Sequence, residues 1–432
     1  MQNSGETLYR GWRLPLAGLQ MLFVAFGALV LVPLITGLDP SVALFTAGIG
    51  TLIFQLSTKR SVPVFLASSF AFIAPIMFSV QMWGQAATMG ALFCAGLLYV
   101  FLAGMVAWRG PGFLHRLLPP VVTGSIIMII GLGLAPVAVN MAMGKTGDAS
   151  AELFPYADAM LVSMPALLTT LLVATLAKGI FRLVPILAGV AVGYAIAAFM
   201  GMVDLTAVDN SSWIQVPQFI MPEFQLAAIL FMLPVAIAPA IEHIGDVLAI
   251  GSVTGKNYVE KPGLHRTLLG DGLATSAASL FGGPPNTTYS EVTGAVMLTK
   301  AFNPVVMTWA AVFAIVLAFV AKFGVLLQTV PTPVMGGILI LLFGSIAAVG
   351  MNILIKGKVD MSAQRNMVIV ATTLVFGIGG MAVGSSEWHL QGVSLCALLA
   401  IFLNLVLPHP QADADDLHEE QEIVEDILDH SR

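Results

Sequence analysis

Apolar runs long enough to cross a hydrocarbon core recur from Leu14 to Leu407, separated by short polar breaks. A helix needs about 20 such residues to span a bilayer, where every backbone N–H and C=O must be satisfied inside the protein. This pattern makes the chain an all-α integral membrane protein. Composition agrees, since 58% of the 432 residues are hydrophobic and 10% are charged, far from the balance of soluble domains. The runs are continuous rather than alternating, which favours helices over a transmembrane barrel. The first run, 14–36, is too long for a signal-peptide core and shows no small-residue cleavage site, so it is expected to remain as a span. Cys94 and Cys396 lie inside apolar runs and imply no disulfide.

The pattern predicts fourteen spans: 14–36, 41–58, 64–80, 86–108, 117–141, 160–180, 183–203, 224–248, 265–282, 288–301, 304–325, 329–353, 366–383 and 388–407. With residues 1–13 in the cytoplasm, every Lys and Arg except Lys145 and Lys322 falls on the cytoplasmic side. Asp39, Asp148, Glu152, Asp158, Asp204, Asp209 and Glu387 fall outside. This one-sidedness is what the positive-inside rule demands, and both ends of the chain are then cytoplasmic. Residues 408–432 form an acidic cytoplasmic tail, with nine carboxylates after His409 against Arg432 alone. Leu417, Val424, Ile427 and Leu428 are spaced like one face of a short helix that could dock on a partner, and a solvated tail is the alternative.

A repeat sets the architecture. "LPPVVTGSIIMIIGLGLA" from Leu118 resembles "PTPVMGGILILLFGSIA" from Pro331, with Pro120, Gly124 and Gly131 matching Pro333, Gly337 and Gly344. The offset is about half the chain, so each half carries seven spans. An odd number makes the second half enter from the opposite side, as in the inverted repeats of secondary transporters. In that architecture the solute site lies where matching spans of the two halves are broken.

Two spans are broken at matching places. The third opens "SVPVFLASSFAFIAP", with β-branched and aromatic residues before Ser68 and Ser69. The tenth opens "GGPPNTTYSEVTGAV". Pro284 and Pro285 forbid helix before them and "NTTY" suits a strand, so helix resumes only near Ser290. Two short β-strands that pair with each other, each leading into a half-helix, satisfy the backbone. The hydroxyls are expected to cap the half-helices, whose free N–H groups suit the acceptor oxygens of a polar solute.

Four acids lie within spans: Glu242, Asp246, Asp271 and Glu291. A carboxylate at the centre of a membrane helix costs on the order of 3 kcal/mol, so such groups usually face a cavity and carry substrate or protons. Glu242 and Asp246 share a helix face, and Glu242 meets Glu291 if spans eight and ten are neighbours. These four are the candidates for proton coupling. For Asp246 and Asp271 a helix end facing water is the competing expectation. His243 points off the Glu242 face and is read as a packing residue. No metal, phosphate-loop or intramembrane-protease motif is present, which argues against an enzyme or a cofactor.

With "SSFAF" in span three, "EHIGD" in span eight, "NTTYSE" in span ten and "PVMGG" after it, the chain resembles the nucleobase–ascorbate transporter family, nearest to its bacterial uracil permeases. The resemblance implies a core domain (14–108 and 224–325) and a gate domain (109–203 and 329–407). It implies a base bound between the half-helices, with Glu242 and Glu291 accepting its ring N–H groups. Backbone N–H groups at Phe70 and Ser290 would meet the carbonyls of the base, and Phe70, Tyr289 and Ala28 would line the ring. It further implies proton-driven import across the bacterial inner membrane, a homodimer, and no nucleic-acid partner. Val292 stands where the family usually has Asn, Asp246 where uracil permeases tend to have His, and Phe343 where they often place Tyr. Glu291 is the pyrimidine-type residue, whereas Asp246 and Asp271 are purine-like. Uracil is the expected substrate, with xanthine or urate as the alternative and an anion transporter or channel on the same fold as the remote one.

Overall fold

The computed structural model describes residues 11–110, 112, 118–384 and 389–408. Arg116, Glu387, the first ten residues and the acidic segment 409–432 lie outside them. The first half comprises α1 (Arg13–Thr36), α2 (Pro40–Ser57), β1 (Leu66–Ser68), α3 (Ile73–Arg109), α4 (Pro120–Gly133), α5 (Ala135–Ala142), α6 (Tyr156–Leu176) and α7 (Pro185–Phe199). The second half comprises α8 (Leu226–Met232), α9 (Ile237–Thr254), α10 (Leu264–Leu280), β2 (Asn286–Thr288), α11 (Ser290–Thr299) and α12 (Val305–Ala318). It continues with α13 (Ala321–Gln328), α14 (Thr332–Lys356), α15 (Gln364–Ile378), the small ribbon β3 (Ala382–Gly384) and β4 (His389–Gln391), and α16 (Gly392–Val406).

Helix occurs at each of the fourteen expected segments, but their lengths differ. Among the described residues six helices are long and apolar enough to cross a membrane, or seven if α8 and α9, bent by 42° at their junction, form one span. Four others, α7, α12, α15 and α16, have 14 or 15 residues, which at about 1.5 Å per residue falls short of a hydrocarbon core of about 30 Å. Spans three and four follow each other without a loop within α3, two helices that meet at a kink at Gly84, whose φ of +84° suits a residue without a Cβ. The expected span 304–325 is divided at Phe319 into α12 and α13.

Helices α1, α2, α3, α8, α10 and α12 pack chiefly on one another, with α9 against α11 and α11 against α1. Helices α4 to α7 pack chiefly with α14, α15 and α16. At the heart of the second group lie the two repeat helices, α4 and α14. Each has proline in its first turn, Pro120 at the first position of α4 and Pro333 at the second of α14, where the missing N–H would be unpaired anyway. They approach so closely that a Cβ on Gly131 would collide with the carbonyl oxygen of Phe343.

Candidate functional site

The broken spans meet as the sequence predicts. β1 and β2 pair antiparallel, with Leu66 opposite Thr288, Ala67 opposite Thr287 and Ser68 opposite Asn286. The Ser69 N–H continues the ladder to the carbonyl of Pro285 at 2.9 Å. A two-stranded ribbon leaves outer edges unpaired, and in a dry interior that is costly. Neighbouring helices close them. Thr51 Oγ1 of α2 accepts the Leu66 N–H at 2.9 Å, Thr275 Oγ1 of α10 donates to the Asn286 carbonyl at 2.7 Å, and Asn286 Nδ2 donates to the Thr46 carbonyl at 2.9 Å.

After the ribbon each chain turns into helix. Phe70 opens a single 3-10 turn, Phe70–Phe72, that leads into α3, and Ser290 is the first residue of α11. The first N–H groups of such helices have no partner within the helix, so both backbones carry free donors there. The side chain of Ser290 lies outside the description. The hydroxyls do not cap these helices: neither Ser69 nor Tyr289, the residues at the two cap positions, makes a side-chain cap bond.

The threonines of β2 bond to acids instead. Thr287 Oγ1 donates to Asp271 Oδ2 at 3.1 Å and Thr288 Oγ1 donates to Asp246 Oδ2 at 2.9 Å. Consecutive strand side chains point to opposite sides, so the two threonines reach different helices, α10 and α9. His243 completes the cluster, with Nδ1 3.3 Å from Thr288 Oγ1 and 3.6 Å from Asp271 Oδ2, and its ring edge-on to Phe54. The expectation that Asp246 or Asp271 lies at a helix end facing water is therefore overturned: both are buried, at 5% and 0% exposure. Desolvation makes an unpartnered carboxylate costly, and the strand hydroxyls supply the partners. His243 is a packing residue as expected, and it also ties α9 to α10.

The glutamates behave differently. Glu242 is half-buried and Glu291 exposed, yet Glu242 lies within electrostatic range of Glu291, Asp246 and Asp271. Helices α9 and α11 are direct neighbours, so Glu242 and Glu291 stand on adjacent helices. Tyr289, two residues before Glu291 in the chain, has its ring centroid 5.9 Å from that of Phe70 at 47°. Tyr289 and the fully buried Ala28 belong to one apolar cluster and the buried Phe343 to another, and Phe70 packs against both. Thr46, Thr51 and Thr275 were not singled out by sequence reasoning. The available signal was polar residues placed on apolar spans next to the broken segments.

The "Permease family" profile, Xan_ur_permease, matches residues 13–385. The "Probable uracil permease" of Pasteurella multocida is 60% identical over 391 residues, covering 90% of this chain and 93% of that one. The "Uracil permease" of Bacillus caldolyticus is 44% identical over 413 residues, 94% of each chain. Among solved structures, the transmembrane domain of a cyanobacterial bicarbonate transporter, BicA, superposes with a TM-score of 0.64 at 15% identity over 91% of this chain and 96% of that one, a likeness of fold. The two paired broken spans and the family match lead to one assignment: this chain belongs to the nucleobase–ascorbate transporter family and is a membrane transport protein, not an enzyme.

Proposed function

We propose that the protein imports uracil together with a proton, by alternating access at the site between β1–α3 and β2–α11. The observation that carries this reading is the pairing of two reachable carboxylates, Glu242 and Glu291, with two half-helix N-termini around the Phe70–Tyr289 ring pair. Uracil presents two N–H donors and two carbonyl acceptors on a flat ring. Carboxylates accept the former, backbone N–H groups donate to the latter, and aromatic faces take the ring. In a site that excludes water each unmatched group costs about 1–3 kcal/mol, which is the source of selectivity. The named uracil permeases among the relatives support uracil over xanthine or urate. An inorganic anion is disfavoured by the Glu242–Glu291 pair, although the fold neighbour is a bicarbonate transporter.

The same reading takes the α1–α3 and α8–α12 helices as a core and the α4–α7 and α14–α16 helices as a gate that move against each other. It takes all fourteen segments as crossings, with the short helices completed by loops and broken pieces. It places the protein in the bacterial cytoplasmic membrane with both ends inside, as a homodimer. Protons are the coupling ion, carried by the Glu242, Asp246, Asp271 and Glu291 set, and no cofactor takes part.

The test is uptake of labelled uracil by cells that lack their own nucleobase permeases, with excess xanthine as competitor and a protonophore as control. Uptake that stops with the protonophore and ignores xanthine is the expected result. Uptake blocked by xanthine moves the substrate to the purines, and uptake indifferent to the protonophore removes proton coupling.

A further inference from the structure

A cavity of about 520 Å³ lies where α1 ends and α2 begins, at the opposite end of α2 from Lys59 and Arg60. Small-molecule sites run from about 300 to 1,000 Å³. The wall holds one charged residue, Asp39, and four glutamines, Gln85, Gln215, Gln218 and Gln328, with no cation among the residues that line it. Asp39 is already engaged, since its carboxylate accepts the Ser41 N–H at 2.7 Å. Gln85 Nε2 donates to the Gly37 carbonyl at 3.0 Å. The side chains of Gln215, Gln218 and Gln328 make no hydrogen bond to any of the described residues, and all three residues are exposed.

These glutamines stand on a fixed frame. The segment 213–223 that leads from α7 toward α8 is pinned along its length. The Ala321 N–H donates to the Trp213 carbonyl at 3.1 Å, the Gln215 N–H to that of Phe319 at 3.1 Å, the Ile220 N–H to that of Phe281 at 3.4 Å, and the Glu223 N–H to that of Ala86 at 2.9 Å. Phe219 packs on Phe45 and Phe281 with ring centroids 5.1 and 5.3 Å away, and Pro217 is buried. Across the cavity α13 lies so close to α2 that a Cβ on Gly324 would collide with Ser41 Oγ, which fixes Gln328 one turn further on. A connection held this firmly binds a ligand without first having to be ordered.

An amide side chain carries an acceptor and a donor side by side, the complement of the adjacent N–H and C=O of an imide, so one glutamine can pair with such a ring edge through two parallel hydrogen bonds. A wall without cations offers an anion nothing to bind, while Pro33, Leu34 and Pro217 supply apolar surface for a flat ring. We propose that this cavity is a receiving site, where a neutral base with adjacent donors and acceptors is held before it reaches the central site. Pro33 and Leu34 follow Ala28 on α1 by five and six residues, about 8 Å along the helix axis. The receiving site therefore stands about 8 Å beyond the level of Ala28, on the side that the Lys and Arg distribution makes the outer one. That the base is uracil rests on the reading above, whereas the cavity and its amides do not.

The experiment is photolabelling of the full-length protein in nanodiscs with 5-iodouracil, read by peptide mass spectrometry, together with uptake of labelled uracil by cells. Adducts on 213–220 or 324–328 are expected, suppressed by excess uracil and still present in Glu291→Gln, because this site does not use that carboxylate. The combined variant Gln215→Ala, Gln218→Ala and Gln328→Ala removes exposed side chains that hold nothing else in place, so its thermal melt should match wild type. Its adducts should fall about fivefold or more. Its uptake at low uracil should fall about fivefold with the maximal rate unchanged, since capture alone is touched. The receiving site alone is overturned if wild type takes up uracil but its adducts are confined to the segments around Phe70 and Ser290 or resist uracil competition. Wild-type kinetics in the triple variant overturn it equally. Wild-type protein that takes up no uracil overturns the uracil reading, and this use of the cavity with it.

Discussion

At the residue scale the four intramembrane acids divide by environment, and the division is open to test. Glu242 is half-buried and Glu291 exposed, whereas Asp246 and Asp271 are buried against strand hydroxyls. Glu242→Gln and Glu291→Gln each replace an acceptor by a group that also donates, and a mismatch of about 1.4–3 kcal/mol lowers uracil uptake roughly 10- to 100-fold at normal membrane abundance. Wild-type uptake in either variant would remove the site. Thr288→Val strips Asp246 of its 2.9 Å donor, so the buried carboxylate loses about 1–3 kcal/mol of compensation. The purified variant should melt several degrees lower, and Thr288→Ser, which keeps the hydroxyl, should melt near wild type. The glutamates were legible because a charge inside an apolar run has few explanations. The depth of Asp246 and Asp271 was not, because it depends on Thr287 and Thr288, residues 16 and 42 positions away from their partners in the chain.

At the element scale the ribbon β1–β2 and the packed repeat helices decide the geometry. Prolines 284 and 285 announced the strand, and the repeat announced its partner. The threonines that seal the ribbon edges were hidden, because a threonine in a membrane helix most often bonds back to its own helix, as Thr36 does to the carbonyl of Val32. Glycine spacing told as little about packing. Gly131 and Gly344 match in the repeat, yet a Cβ at Gly131 would collide with the Phe343 carbonyl while none of the described atoms lies within 4 Å of one at Gly344. Gly131→Ala should therefore cost about 1–3 kcal/mol by overpacking and reduce the folded yield, and Gly344→Ala should be neutral in the same thermal-melt assay. Equal effects at both positions would mean that α4 and α14 do not pack as described.

At the scale of the whole molecule, the alternating-access reading makes function depend on how two groups of helices touch. Gly27 of α1 meets Ile186 of α7 at one of their contacts, and a Cβ on Gly27 would stand 3.6 Å from the Cβ of Ile186, within the range of a disulfide. With Cys94 replaced by Ser, the pair Gly27→Cys and Ile186→Cys should cross-link on oxidation. If the groups move against each other, oxidation stops uracil uptake and dithiothreitol restores it. Full uptake through a formed cross-link would show that this contact stays fixed during transport.

The sequence by itself determined the solvent this chain lives in, its helical class, its internal repeat and the two places where helix must break. These follow from local composition and from backbone chemistry that proline and charge make explicit. Only the tertiary structure decided which polar groups satisfy one another. Asn286 bonds to Thr46 across 240 positions of sequence, and Phe70 joins the apolar clusters of Ala28 and Phe343. Such pairings are set by the depth and angle at which helices cross, and no local pattern encodes a distance between segments far apart in the chain.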